Sequence, residues 1–213
     1  MSVLEQLAAR KLVPVVVLDD PSEAEPLAHA LVAGGLPVAE VTFRTAAAED
    51  AIKIMSARGD VLVGAGTVLT VEQVDRAVDA GAEYIVSPGT SIRVIERCRE
   101  RGVPVLPGAV SATGIQNLLE MGIDTIKFFP AGTSGGAAAI KALSAPFGAV
   151  SFIPTGGIGL SNLDDYLTIP SVVAVGGSWM VPPTAIREGR FAEIAELCEA
   201  SIAAVQSISS SLR

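Results

Sequence analysis

A (β/α)8 barrel, the TIM-barrel fold, with an extra helix ahead of its first strand is what this 213-residue sequence predicts. Three observations carry the prediction. Short runs rich in Val and Ile recur eight times, each closed by Gly, Pro or a polar residue. A segment of helical periodicity follows each run, and strict alternation of this kind requires parallel pairing through right-handed crossovers. The runs are apolar throughout, as strands are when both faces of a sheet are covered, and a repeat of roughly 20 to 25 residues fits a small closed barrel. An open doubly wound sheet is the rival, and its GxGxxG signature after the first strand is missing.

In chain order, residues 2–11 read as the extra helix. The strands fall at 13–18, 38–43, 61–66, 84–89, 103–108, 125–130, 151–156 and 172–177. Between them AEPLAHALVAGG, VEQVDRAVDAGA, SIRVIERCRERG and SNLDDYLTI place apolar residues three and four apart, and several end on the glycine that closes a helix. Residues 191–208 supply the last helix. No linker or low-complexity tract interrupts the series, so residues 1–213 read as one domain.

Acids outnumber bases 23 to 15, a net charge of -8, which leaves no basic surface to displace counterions from a nucleic acid. The mean hydropathy of +0.51 suggests a membrane protein at first sight. No apolar stretch approaches the roughly 20 residues needed to span a bilayer, so neither nucleic acid nor membrane is an expected partner. The opening segment has acidic and polar residues where a signal peptide carries a basic flank, which predicts a cytoplasmic protein. Cys98 and Cys198 lie far apart with no CxxC and read as reduced thiols. With one histidine, His29, on the polar flank of a helix and no dense acidic set at the strand ends, no metal site and no cofactor is expected.

In apolar strands the polar residues are the informative ones, because burying them unpaired is costly. Of four lysines only Lys127 lies mid-strand, in TIKFFP, sharing a face with Thr125 and Phe129. A buried ammonium loses hydration, its pKa falls, and the neutral amine can form an imine with a carbonyl. The alternative is a lysine that snorkels or pairs with a neighbour. Glu40 is the one acid in a strand interior, and Glu40, Thr42 and Arg44 alternate onto one face. Arg44 lies just past the strand end, about 13 Å beyond Glu40, at the rim where barrels place active sites. The same three charges could also form a purely structural ion network.

Two glycine pairs follow the last strands, in PTGGIG at 154–159 and VGGSWM at 175–180. Glycine lets the backbone approach an anion, turn N–H groups leading into a helix can bind it, and in barrels these two loops are the usual phosphate site. Gly156, Gly157, Gly177, Thr155 and Ser178 are therefore candidates for a phosphate group. Thr67 in GAGT and Pro88 in SPGT close strands three and four; both line the same mouth, unless Thr67 is a helix cap. Phe129 joins them as a substrate-lining residue on the Lys127 face.

Taken together, PVVVL, LVAGG, EVTFRT, GAGTVL, SPG, the PG at 107–108, KFFPA, PTGGI and GGSWMVP give a chain that resembles the class I 2-keto-3-deoxy-6-phosphogluconate (KDPG) aldolases along nearly its whole length. KFFP after EVTFRT is the specific combination. The resemblance implies a cofactor-free, metal-independent lyase of the Entner–Doudoroff pathway that also cleaves 4-hydroxy-2-oxoglutarate, to pyruvate and glyoxylate. It implies that Lys127 forms the Schiff base, Glu40 moves protons, Arg44 and Thr67 hold the pyruvate carboxylate, and Gly156, Gly157, Gly177 and Ser178 hold the phosphate. Thr155 falls where the sugar chain's stereochemistry is read, and its hydroxyl matches the gluconate-type rather than the galactonate-type enzyme. A homotrimer is implied as well. The small-molecule partners are a phosphorylated 2-keto acid and pyruvate, with glyceraldehyde 3-phosphate as the second product.

Two departures bear on substrate preference. Gly132 replaces the acid many relatives carry after KFFPA, in a run GTSGG expected to be flexible, and Asp19 and Asp20 end strand one where a basic residue would suit a doubly charged substrate. Two other functions fit the same barrel: a sugar-phosphate isomerase or epimerase using Glu40 as base, and a non-catalytic sugar-phosphate-binding protein.

Overall fold

The structure, a computed structural model, describes residues 1–211. Helix α1 (Val3–Arg10) opens the chain behind a capping box, in which the Ser2 hydroxyl accepts from the Glu5 N–H and the Glu5 carboxylate accepts from the Ser2 N–H. Alternation then runs β1 (Leu12–Val16), α2 (Ala24–Ala33), β2 (Val38–Thr42), α3 (Ala48–Arg58), β3 (Leu62–Gly66), α4 (Val71–Asp79), β4 (Tyr84–Val86), α5 (Ile92–Glu100), β5 (Val105–Leu106), α6 (Ala112–Glu120), β6 (Thr125–Phe128), α7 (Gly136–Ser144), β7 (Ser151–Pro154), α8 (Leu163–Leu167), β8 (Val175–Gly177), α9 (Pro183–Arg187) and α10 (Phe191–Ser211). Thr70, Ser91 and Ser111 cap α4, α5 and α6 by accepting from a backbone N–H one turn on. Gly81 and Gly102, at φ +99° and +66°, end α4 and α5 as the sequence predicts.

Every strand pair is parallel. Six strands form one ladder in the order β5-β4-β3-β2-β1-β8, and β6 pairs with β7 in a second. Isolated parallel bridges join the two ladders, Gly108 to Lys127 on one side and Phe152 to Val172 and Thr155 to Gly176 on the other. The fold is α/β, with parallel strands curling round in two ladders rather than in the continuous eight-stranded ladder expected. Proline explains one interruption: Pro104 and Pro107 flank β5, lack N–H donors, and cut the expected six-residue strand to two. The other lies at β8, which starts at Val175 rather than at 172. Ahead of it the chain reaches β7 only through the isolated Phe152–Val172 bridge, with the Val173 N–H donating to the Phe152 carbonyl at 3.0 Å.

Strands β1, β2 and β3 are buried at every position, which accounts for their unbroken apolar sequence. The interior is filled by large and small residues in register. A Cβ on Gly64 would lie 2.2 Å from the Tyr84 ring, so the glycine admits that ring to the core. The Tyr84 hydroxyl donates to the Ala39 carbonyl at 3.0 Å, and burial pushes its pKa well up, which keeps the donor proton in place. Phe128 and Phe152 meet edge to face, centroids 6.1 Å apart. Cys98 and Cys198 are free and buried, with burial pushing both thiols up to about 12. No helix among the described residues is long and apolar enough to cross a membrane.

Candidate active site

The two charged residues that interrupt the apolar strands meet in the interior. Lys127 on β6 and Glu40 on β2 are 5% and 2% exposed, and the Lys127 Nζ donates to Glu40 Oε1 at 2.9 Å. The lysine is thus salt-bridged, as the alternative reading of its burial had it, but its only ionic partner among the described residues is the second candidate for proton transfer. Room for the carboxylate comes from Gly66 on the neighbouring strand β3, where a Cβ would lie 2.4 Å from Glu40 Oε1. The GAGT glycine is thereby explained by packing. Lys127 Nζ also stands 5.3 Å from the Phe129 ring centroid, within cation–π range.

Arg44 does not complete an ion network with this pair. It follows β2, is exposed, and forms no ion pair among the described residues. Instead it lines a cavity of about 160 Å³ together with Phe129, Thr155, Gly156, Gly157, Gly177 and Ser178. Seven of the residues singled out in the sequence therefore share one cavity, and the buried pair lies against it through Phe129.

Thr67 and Pro88 follow β3 and β4 and do not line that cavity. Thr67 is not a helix cap, because Thr70 caps α4. It holds φ +56°, a left-handed conformation costly for a β-branched residue, at the strand end where function concentrates such strain. Pro88 packs its carbonyl where a Cβ on Gly108 would be, 2.1 Å away, so it shapes the connection after β5.

The two glycine pairs prove unlike. Gly156 and Gly157 hold φ +96° and +77°, which glycine alone adopts without strain. Gly176 and Gly177 have ordinary φ and are glycines for space: a Cβ on Gly176 would lie 2.4 Å from Thr155 Oγ1, and one on Gly177 would lie 1.9 Å from the Trp179 ring. Trp179 Nε1 in turn donates to Ser201 Oγ at 3.0 Å, which donates to the Leu197 carbonyl in α10. The helices after these turns, α8 and α9, span five residues each and carry little macrodipole.

The structure gives both departures local partners. Gly132 opens a tied 3-10 turn rather than a loose run: its N–H donates to the Gly156 carbonyl at 2.9 Å, and the Gly136 N–H donates to the Ala131 carbonyl. A Cβ there would meet Gly156 and Gly157 at 3.5 Å, an ordinary contact. Asp20 accepts from the Ser22 N–H to cap the turn Pro21–Glu23, and Asp19 lies 3.6 Å from Arg187, so both acids have partners outside the cavity. His29 is an exposed partner of Arg58. Among the described residues no group of three His, Cys, Asp or Glu side chains is placed to hold a metal ion. Sequence reasoning gave no role to Trp179 or Asn162, both of which touch the glycine turns; their only signal is their position two and five residues from a glycine pair.

The family model described as KDPG and KHG aldolase matches residues 3–197. The 2-dehydro-3-deoxy-phosphogluconate aldolase of Treponema pallidum is 48% identical over 203 residues, 95% of this chain and 97% of that protein. Among solved structures, the KDPG aldolase of Legionella pneumophila with pyruvate captured at low pH as a covalent carbinolamine is 42% identical, with a TM-score of 0.88 over 91% of this chain and 95% of that one. The 4-hydroxy-2-oxoglutarate/KDPG aldolase from TTHB1 is 33% identical with the same TM-score, covering 96% of this chain and 99% of that one.

Proposed function

Because the chain belongs to the KDPG and KHG aldolase family, we infer that the buried Lys127–Glu40 pair is the centre of a Schiff-base aldolase. The protein is a carbon–carbon lyase that cleaves 2-keto-3-deoxy-6-phosphogluconate to pyruvate and glyceraldehyde 3-phosphate, and acts also on 4-hydroxy-2-oxoglutarate. The observation that carries the residue assignment is the 2.9 Å contact between a buried amine and a buried carboxylate beside a cavity rimmed by an exposed arginine.

The chemistry follows from that geometry. Passage of one proton across the Nζ–Oε1 contact leaves a neutral amine and a protonated Glu40. The amine attacks C2 of the keto acid, and Glu40 returns its proton to the departing water as the carbinolamine becomes an iminium. Glu40, again a carboxylate, takes the proton of the C4 hydroxyl; the C3–C4 bond breaks, and its electron pair enters the iminium to give an enamine. Protonation at C3 and hydrolysis release pyruvate and the free lysine. The iminium is the electron sink, the role a Lewis acid fills in metal-dependent aldolases. Arg44 binds the substrate carboxylate through paired hydrogen bonds, Thr67 and Pro88 closing the ends of the next two strands on the same side of the sheet, and Phe129 walls the reacting carbons. Gly156, Gly157, Gly177 and Ser178 receive the phosphate. Thr155, buried beside Gly176, reads the C4 configuration of the gluconate series. Pyruvate captured as a carbinolamine in the Legionella relative supports the lysine's part.

Three coarser features are proposals of the same reading. The bridges from Gly108 to Lys127 and from Thr155 to Gly176 support a closed (β/α)8 barrel forming a single domain. Leu69, Ile92 and Val110, exposed apolar residues on the consecutive connections after β3, β4 and β5, support self-association, which we take to be a homotrimer. Two free buried thiols suit a cytoplasmic setting.

A coupled assay for pyruvate tests the activity. Pyruvate should appear from both KDPG and 4-hydroxy-2-oxoglutarate; isomerised substrate without pyruvate would assign the barrel to an isomerase instead.

A further inference from the structure

Two peptide units of the glycine turn after β7 are pinned from behind. A peptide unit is planar and trans, so its C=O and N–H point in opposite directions and fixing one aims the other. The Gly156 carbonyl accepts the Gly132 N–H at 2.9 Å, and the opposite end of that unit is the Gly157 N–H. The Gly157 carbonyl accepts Asn162 Nδ2 at 3.1 Å, and the opposite end of that unit is the Ile158 N–H. Neither the Gly157 nor the Ile158 N–H has an acceptor among the described residues, and both residues line the cavity that Arg44 enters. Asn162 Oδ1 also accepts the Gly159 N–H at 2.9 Å, so one amide group ties the loop at two points.

We propose that Asn162 is a positioning residue for the phosphate of the substrate: its side chain holds the 157–158 peptide so that the Ile158 N–H, alongside that of Gly157, faces the phosphate oxygens. The proposal rests on the phosphate-site reading above. Of the two pins, the one from Gly132 is backbone and independent of residue type, so Asn162 is the point at which a side chain controls this half of the site. Asn162 itself lines no part of the cavity, and its effect is on orientation rather than contact.

The test compares KDPG with the same keto acid lacking its phosphate, on the full chain and on Asn162→Ala. The KM for KDPG should rise roughly tenfold, the loss expected when one hydrogen bond to a bound anion is misdirected, with kcat little changed. Competitive inhibition by inorganic phosphate should weaken by a similar factor, and kinetics on the unphosphorylated acid should not move. Equal losses on both substrates, or no change on either, would overturn the proposal. Asn162→Asp, which keeps the shape and the acceptor for Gly159 but loses the donor to Gly157, decides the matter if the alanine variant does not fold, on the same split. The underlying reading fails separately: a native protein that neither prefers the phosphorylated acid nor is inhibited by phosphate has no phosphate site at all.

Discussion

The two halves of the proposed site handle charge by opposite means. At the pyruvate end, an ammonium and a carboxylate are carried by strand interiors, fully enclosed and paired with each other. At the phosphate end, backbone N–H groups of a turn are held by hydrogen bonds made behind them, with no lysine in the cavity lining; its one cation, Arg44, is the residue assigned to the carboxylate. The difference teaches how a chain of net charge -8 can take a substrate bearing both a carboxylate and a phosphate: in this reading oriented dipoles meet the phosphate and one arginine meets the carboxylate, and the overall charge has little bearing on either. It also separates what substitutions should do. Changes to the enclosed pair remove chemistry from every substrate, whereas changes to the turn alter only the binding of phosphorylated ones.

The largest effect belongs to Lys127→Ala, which should abolish turnover of all substrates. Because it strands Glu40 in the interior without a partner, it should also cost about 3–5 kcal/mol of stability, visible as a lower Tm. Glu40→Gln keeps a hydrogen bond to Lys127 but no longer carries protons, and kcat should drop about 10²- to 10³-fold on phosphorylated and unphosphorylated substrates alike. An effect confined to the phosphorylated substrate would blur the division between the halves. Gly157→Ala forces a side chain onto φ +77°, a strain of about 1–3 kcal/mol relieved by shifting the turn, so the KM for KDPG should rise by roughly tenfold while the unphosphorylated acid is unaffected. The smallest effect is that of Trp179→Phe, which keeps the ring over Gly177 but loses the bond to Ser201, worth about 1 kcal/mol; a rise in KM for KDPG of at most several-fold is expected. A change in turnover of the unphosphorylated acid in that variant would extend the reach of α10 into the pyruvate half.

The same contrast explains what could be read before the structure. Lys127 and Glu40 stand out in sequence because desolvation makes a charge inside an apolar strand exceptional, and the strands themselves are found within a few residues by their burial on both faces. Residue 132 and the pair Asp19 and Asp20 are harder to read for a related reason: sequence shows charge or its absence, and not the partners the fold supplies, the Gly156 carbonyl, the Ser22 N–H and Arg187. Glycine is ambiguous in sequence, since it serves for positive φ at Gly156 and Gly157, for room at Gly66 beside Glu40, and for a tryptophan face at Gly177. Asn162 is harder still, because an amide in a loop is commonplace and its purpose is visible only in which carbonyl it holds. The break in the strand ladder at β5 was written in Pro104 and Pro107, whose missing donors outweigh the apolar pattern around them.

The central claim is that Lys127 forms an imine while paired with Glu40. Borohydride reduction in the presence of pyruvate, followed by peptide mapping by mass spectrometry, tests it most directly. A stable adduct on Lys127, formed in the native chain and lost in Lys127→Ala, is the expected result. No adduct, or an adduct on Lys11, Lys53 or Lys141 that persists in the variant, would contradict the account.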